Sequence, residues 1–159
     1  MDPAAGLAWA DDQRVATGLT VALGSYLKRR AIGEMFAAPF DVVFSDLDVV
    51  EPDLLYISRE RAGILTEKHV RGSPDLVVEI LSPGTRKTDE LTKRKLYERF
   101  DVTEYWVVDP ELDAAKVYRR VEGVFARAAE LTAEAGDILA TPLLPEFSVS
   151  LDVLFAMPL

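Results

Sequence analysis

The sequence predicts an α+β protein in which a mixed central β-sheet is flanked by α-helices. Two observations predict this class: short apolar runs bounded by Gly, Pro and Ser read as strands, and two longer stretches carry apolar residues at helical spacing. The 159 residues contain no evident repeat or internal linker and suffice for one hydrophobic core. We therefore expect a single domain over residues 1–159, with a frayed start over residues 1–10.

The most informative element is the apolar stretch Pro74–Gly84, which predicts a strand buried on both faces. Side chains alternate along a strand, so Asp75, Val77 and Glu79 share one face. A carboxylate inside a buried strand is costly unless it is paired or binds a metal. Glu79 is therefore a candidate functional residue, and a carboxylate bonded to backbone or arginine at a strand end is the structural alternative.

Residues 88–100 predict a helix with Thr88 as its N-cap. Its apolar stripe consists of Leu96, Tyr97 and Phe100. Lys93 falls near the centre of this stripe, whereas Lys95 points elsewhere. We expect Lys93 to turn inward and serve the same site as Glu79; a snorkelling lysine or a local pair with Asp89 is the alternative.

The remaining elements are assigned from periodicity and turn residues. We predict a helix over 12–30, strands at 34–36, 40–44, 49–57 and 104–109, a hairpin of 116–120 with 124–128, loops over 58–73 and 130–147, and a short closing helix or turn over 150–155. Asp53 stands just after Pro52, where the chain enters an apolar strand.

Composition limits the chemistry. The chain has no cysteine and one histidine, His69, which excludes thiolate catalysis and a multi-histidine metal site. We read His69 itself as an ordinary surface histidine. A metal would have to be held by oxygen ligands, which favours Mg²⁺, Mn²⁺ or Ca²⁺.

The net charge of −9 gives little general attraction for nucleic acid. No signal peptide or membrane span is evident, so we expect a cytoplasmic protein.

Four segments together resemble a known family. They are Glu51-Pro52-Asp53, the stretch from Pro74 to Pro83, the helical positions Asp89, Lys93 and Tyr97, and Glu104-Tyr105-Trp106-Val107-Val108-Asp109-Pro110. From about residue 12 to about residue 155, the chain resembles the Uma-two family, restriction-endonuclease-like proteins of the PD-(D/E)XK nuclease superfamily. The resemblance implies a restriction-endonuclease-like core.

The resemblance also implies a site. Asp53 and Glu79 match the two acidic positions of the superfamily, but Leu81 stands where its lysine is usual, and Lys93 matches the family's relocated lysine. Asp53, Glu79 and the carbonyl of Ile80 would hold Mg²⁺ or Mn²⁺. The implied activity is metal-dependent hydrolysis of phosphodiester bonds in DNA; the alternative is a non-catalytic module that binds nucleic acid or a partner protein.

Some positions depart from the family pattern. Asp12 stands where members often carry a histidine, Gly84 stands in place of a serine, and Asp101-Val102 replaces a usual Gly-Val. These changes remove no implied metal ligand, but they put a role for the Asp12 position in doubt.

Other polar residues near the predicted site have weaker roles. Asp75 is four residues from Glu79, roughly 13 Å along a strand, so we expect it to be structural. Possible phosphate contacts, or else ordinary solvated charges, are Ser82, Arg86, Lys87 and Arg94.

A homodimer is also expected. Tyr105 and Trp106 are adjacent in an apolar strand, so one of them should point away from the core and mark an interface. Related nucleases commonly act as pairs. We therefore predict a symmetric dimer through the later strands and the C-terminal segment.

Overall fold

The computed structural model describes residues 3–84 and 88–156, and it has the predicted α+β architecture. The helices are α1 (Pro3–Arg29), α2 (Arg94–Arg99) and α3 (Leu151–Phe155), with a 3₁₀ helix at Arg59–Ile64 and a π-helical segment at Thr88–Lys93 that runs directly into α2. The strands are β1 (Gly33–Ala37), β2 (Asp41–Val43), β3 (Val49–Val50), β4 (Leu54–Ser58), β5 (His69–Arg71), β6 (Leu76–Ile80), β7 (Glu104–Asp109), β8 (Ala114–Val121), β9 (Val124–Thr132), β10 (Ile138–Ala140) and β11 (Ser148–Ser150).

The central sheet has six strands in the order β1-β4-β6-β7-β8-β9. It is mixed, because β6 and β7 pair in parallel while the other neighbours are antiparallel. A parallel pair needs a crossover connection, and the helical segment from Thr88 to Arg99 provides it. Two smaller sheets, β3-β2-β5 and β10-β11, complete the fold.

The sheet buries both of its faces, and β6 shows how. Leu76, Val78 and Ile80 pack in a cluster with residues of α1, whereas Val77 packs in a second cluster with Tyr97 of α2. All five residues of β6 are buried. The predicted two-sided burial of this strand is confirmed, so Glu79 is a carboxylate within a buried strand.

The expectation of one exposed aromatic in β7 is wrong. Tyr105 and Trp106 are both 0 % exposed. The two faces of β7 are each covered by a hydrophobic cluster: Trp106 joins the α1 cluster and Tyr105 the α2 cluster. The exposed aromatic that motivated the predicted dimer is therefore absent from this strand, and the dimer itself stays a prediction.

The first helix is longer than predicted. It begins at Pro3, not near Asp12, so residues 3–10 are helical and not frayed. Proline suits the first helical position, and alanines 4, 5, 8 and 10 have high helix propensity. Across residues 3–84 and 88–156, neither this helix nor any other combines the length and apolar character needed to cross a membrane.

Two predicted loops contain structure. The 58–73 segment includes the 3₁₀ helix and β5, and the 130–147 segment includes β10. Both strands have three residues, too short to show a periodicity in the sequence. His69 lies in β5 opposite Asp41, in a different sheet from Glu79, and it is half-buried, not an exposed surface histidine.

The two edge strands of the central sheet are β1 and β9, and β9 is the longer, with nine residues. Its pairing with β8 is interrupted: Val117 faces Ala129 and Tyr118 faces Arg127, so Ala128 is an extra residue in the strand. Such a bulge bends a strand and increases its local twist.

Candidate functional site

Glu79 and Lys93 form an ion pair between the sheet and the helix. The Lys93 ammonium Nζ lies 2.7 Å from Glu79 Oε2, and the hydroxyl of Tyr97 donates to Glu79 Oε1 at 3.1 Å. Glu79 is 2 % exposed, and the Lys93 side chain is 24 % exposed. The helical-face prediction is thus confirmed: Lys93 turns inward to Glu79, while Lys95 is exposed.

The π-helical segment sets where Lys93 points. It spans Thr88–Lys93 and changes to α-helix at Arg94. Wider π turns shift the angular position of the residues that follow and occur frequently at functional sites. Lys93 ends this segment at the point where its side chain meets Glu79, and Tyr97, one turn later, is fully buried on the same face.

Asp53 lies beside Glu79 on the neighbouring strand. It directly precedes β4, and the antiparallel register that pairs Leu54 with Val78 continues to bring Asp53 opposite Glu79. Its Oδ2 accepts a hydrogen bond from the backbone N–H of Ile80 at 2.7 Å. The side chain thus replaces a backbone acceptor where the β4–β6 ladder ends. This hydrogen bond holds the carboxylate next to the end of β6.

The acidic groups gather at one end of the sheet because of strand direction. β6 and β7 are parallel and end at Ile80 and Asp109, whereas the antiparallel β4 begins just after Asp53. The same end of the sheet therefore carries Asp53, Glu79 and Asp109. Asp109 is already occupied in part, because it accepts the backbone N–H groups of Glu111 and Leu112.

Asp12 from α1 joins this acidic end, which sequence reasoning did not foresee. Burial, followed by the negative charges of Asp53, Asp11 and Asp109, raises the pKa of Asp12 to about 6. Its Oδ2 is buried and has no hydrogen-bond partner within the described residues. The one sequence signal was the family resemblance, which implied a histidine at the position of Asp12.

The available donors suit a hard cation. Across residues 3–84 and 88–156, no three or more His, Cys, Asp or Glu side chains are grouped so as to hold a metal. Two carboxylates and a main-chain carbonyl are nevertheless oxygen ligands of the kind that Mg²⁺ accepts, since it usually keeps several waters and one or two carboxylates. Asp53, Glu79 and the Ile80 carbonyl fit that description.

The other predicted residues take different positions. Asp75 accepts the Ser58 N–H at 2.6 Å at the opposite end of β6, which is the structural role expected of it. The guanidinium of Arg94 stacks on the ring of Tyr118, with its Cζ 5.4 Å from the ring centroid. Ser82 follows β6 and is half-buried. Arg86 and Lys87 lie outside the described residues, as do the side chains of Thr88 and Asp89.

Comparison with known proteins agrees with this geometry. The family model Uma2, described as "Putative restriction endonuclease", matches residues 5–153. A crystal structure from Anabaena variabilis, titled a putative nuclease belonging to DUF820, superimposes with a TM-score of 0.75 at 19 % identity, covering 91 % of this chain and 80 % of that one. At that identity the likeness shows the fold, and the restriction-endonuclease-like core expected from the sequence is confirmed. Among curated proteins, none matches.

Proposed function

Because this chain belongs to the Uma2 family of restriction-endonuclease-like proteins, we propose that it is a metal-dependent endonuclease that hydrolyses phosphodiester bonds in DNA. The observation that supports the proposal most is the 2.7 Å contact from Lys93 to Glu79, beside the strand that follows Asp53. A lysine from a crossover helix that meets a strand carboxylate, with a second carboxylate beside it, could hold a divalent cation and also place a positive charge near a phosphate.

Asp53, Glu79 and the carbonyl of Ile80 are the proposed ligands of Mg²⁺ or Mn²⁺. When bound, the ion would polarise the scissile phosphate and offset the negative charge that develops on it during attack. Asp53 is prepared for this role because its Oδ2 is already held by the Ile80 amide. Each carboxylate oxygen has more than one lone pair, so Asp53 can keep that hydrogen bond while it binds a cation.

Lys93 has two proposed tasks. In the protein described here its ammonium balances the charge of the nearly buried Glu79. With a cation beside Glu79, electrostatic repulsion would favour rotation of the ammonium toward an incoming phosphate. There it would donate a hydrogen bond to a phosphate oxygen. As the oxygen of the attacking water bonds to phosphorus and the bond to the leaving sugar oxygen breaks, the proton lost by that water would pass to solvent, and solvent water would protonate the leaving oxygen. Tyr97 would retain its hydrogen bond to Glu79 and hold that side chain in place.

The second candidate is a module that keeps the nuclease fold and binds nucleic acid or a partner protein without cleaving anything. The net charge of −9 favours this alternative, because a polyanion would meet repulsion over much of the surface. Metal binding at Asp53 and Glu79 would separate the two candidates, since a purely binding module has no need of it.

Titration calorimetry with Mn²⁺, combined with a plasmid-nicking assay in Mg²⁺, tests the proposal. The wild-type protein should bind Mn²⁺ and nick DNA, and Glu79→Gln should lose both while keeping its thermal transition, because the amide preserves shape and one acceptor. Glu67→Gln, at an exposed acidic residue, is the matched control and should behave as wild type. Unchanged Mn²⁺ affinity in Glu79→Gln would contradict the ligand assignment, and wild type without any nicking would favour the binding module.

A further inference from the structure

Lys116 lies in the same row of the central sheet as Glu79. Glu79 of β6 is paired with Val107 of β7, and Val107 is paired with Lys116 of β8. Residues paired in this way point to the same face of a sheet, and Val107 packs in the cluster that contains Tyr97 of α2. The side chains of Glu79 and Lys116 therefore rise toward the helical segment from two strands about 10 Å apart.

The π-helical segment forms an ion pair with each of these two residues. Lys93 donates to Glu79 at 2.7 Å, and the ammonium of Lys116 donates to Oε1 of Glu90 at 2.9 Å. Glu90 and Lys93 are three residues apart in the same segment. The segment thus places a base over the acid of β6 and an acid over the base of β8, so a shift of its backbone would separate both pairs.

Charge, not apolar packing, holds this segment against the sheet. Its described side chains are those of residues 90–93, of which only Leu91 is apolar. Leu91 is 51 % exposed, and Thr92 is exposed as well, whereas Glu90 and Lys93 are half-buried. The buried side chain of α2 is Tyr97, four residues after Lys93. Among residues 90–93, the two charged side chains are therefore the ones that contact the sheet.

Lys116 contacts the segment although a carboxylate also lies opposite it in the sheet. Its cross-strand neighbour in β9 is Glu130, and Glu130 forms an ion pair with Arg127 at 3.1 Å. Lys116 and Glu90 are both half-buried. Water and salt screen a half-buried pair less than a fully exposed one, so this contact can restrain the backbone that carries Glu90.

We propose that Lys116 is a positioning residue for Lys93: through Glu90 it holds the π-helical segment in place when the Lys93 ammonium leaves Glu79. This inference rests on the proposed function, in which a cation bound at Glu79 favours rotation of the ammonium toward a phosphate. That rotation breaks one of the two ion pairs between the segment and the sheet. The Lys116–Glu90 pair lies two strands away from the cation and stays intact, so the side chain of Lys93 moves while its backbone keeps its place.

Amide hydrogen exchange over residues 90–93 tests this restraint without any nuclease assay. In metal-free protein, Lys116→Met should accelerate exchange of these amides on the order of tenfold, because one of the two contacts that hold the segment is lost. Adding Mn²⁺ should accelerate it further in this variant and should change it little in wild type. Lys116→Arg keeps the charge and should exchange as wild type does. Arg99→Met is the matched control, because it removes the ion pair of α2 with Asp48 and leaves the segment unchanged.

The acidic partner provides a second arm. Glu90→Gln should accelerate exchange as much as Lys116→Met, and the double variant no more than either, because all three lack the same ion pair. Unchanged exchange in Lys116→Met, or effects that add up in the double variant, would overturn the proposal. Equal acceleration in Arg99→Met would reveal a general loss of stability and would overturn it too.

Single-turnover nicking of DNA in Mg²⁺ tests the link to catalysis. At saturating DNA, Lys116→Met should lower the rate about tenfold, because small displacements of a group that contacts the phosphate are costly. Its affinities for DNA and Mn²⁺ should stay close to wild type, since no ligand is changed. An unchanged rate together with faster exchange would overturn the positioning role. A wild type that nicks no DNA, with exchange as expected in every variant, would support the restraint by Lys116 and would contradict the endonuclease activity instead.

Discussion

The Asp53 carboxylate accepts the backbone N–H of Ile80, the residue directly after Glu79, at 2.7 Å. This bond joins the start of β4 to the end of β6, directly after the last residue pair of the regular ladder. It means that one proposed ligand is positioned by the backbone of the residue that supplies another. Asp53 therefore has a structural contribution that can be separated from metal binding.

Replacement of Asp53 by Asn and by Ala should separate these contributions. Asn retains an oxygen that can accept the Ile80 N–H, so Asp53→Asn should unfold near the wild-type temperature while Mn²⁺ affinity falls. Asp53→Ala leaves the N–H of Ile80, a residue only 7 % exposed, without that acceptor. The free energy of unfolding should therefore be about 1–2 kcal/mol lower than in Asp53→Asn. Urea denaturation and calorimetry on the same samples measure both. Equal stability of the two variants would argue against a structural role for this hydrogen bond.

Lys93→Ala should retain Mn²⁺ binding and lower DNA hydrolysis on the order of a hundredfold or more, because it removes a donor to the developing charge. Lys95→Ala is the control on the same helix, since Lys95 is exposed and turned away from Glu79. It should be close to wild type in a nicking assay. If both alanine variants lost the same activity, the inward orientation of Lys93 would have no catalytic significance.

Asp12→Asn should stabilise the protein at neutral pH. The native pKa of about 6 lies above the ordinary value of 3.8, so the native state holds this proton more tightly than the unfolded state does. The associated stability is fully present below about pH 4 and is lost as pH rises through 6. Removing the charge should therefore gain about 1 kcal/mol at pH 7.5, a figure reduced for partial exposure, and almost nothing at pH 4.

The measurement for Asp12→Asn is the free energy of unfolding at several pH values. Asp46→Asn, at an exposed aspartate, is the control and should show no such trend. A difference between Asp12→Asn and wild type that stays constant from pH 4 to 7.5 would contradict the raised pKa.

Asp101→Gly should raise the melting temperature by roughly 2–4 °C. Asp101 has φ of +65° and follows the C-cap of α2; its N–H bonds the Glu98 carbonyl, and the N–H of Val102 bonds that of Tyr97. This is the Schellman arrangement, which favours glycine at the left-handed position. Glycine adopts a positive φ without the steric cost of a Cβ, so the substitution should relieve strain at this position. Asp101→Ala should instead have a melting temperature below that of wild type, because alanine tolerates a positive φ less well than aspartate does.

Local patterns were sufficient to predict the centre of the fold. The apolar run around Glu79 and the helical stripe containing Lys93 each depend on neighbouring residues alone, and their meeting follows once the helix covers the strand. The strand at 104–109 and the hairpin after it were predicted for the same reason. The spacing of apolar residues thus predicted each helix or strand that was long enough to show a periodic pattern.

Features that depend on distant parts of the chain were not predicted. Asp12 and Asp53 are brought into electrostatic range by the packing of α1 on the sheet, which no local pattern encodes. The burial of both Tyr105 and Trp106 follows from packing on both faces of the sheet, by α1 on one side and by Tyr97 of α2 on the other. The change from π to α helix at Arg94 was likewise absent from a prediction that assumed a uniform 100° per residue.

The bulge at Ala128 should protect β9 against pairing with strands of other molecules. β9 presents a nine-residue open edge, which could act as a template for strands of other chains and so nucleate fibrils. The extra residue interrupts the regular hydrogen-bond pattern in the middle of that edge. Arg127 and Glu130, which form an ion pair at 3.1 Å, place charged side chains on either side of it. An incoming strand could match only half of β9 at a time. Removal of Ala128 should consequently turn a protected edge into one prone to aggregation, even though the deletion changes no residue of the candidate site.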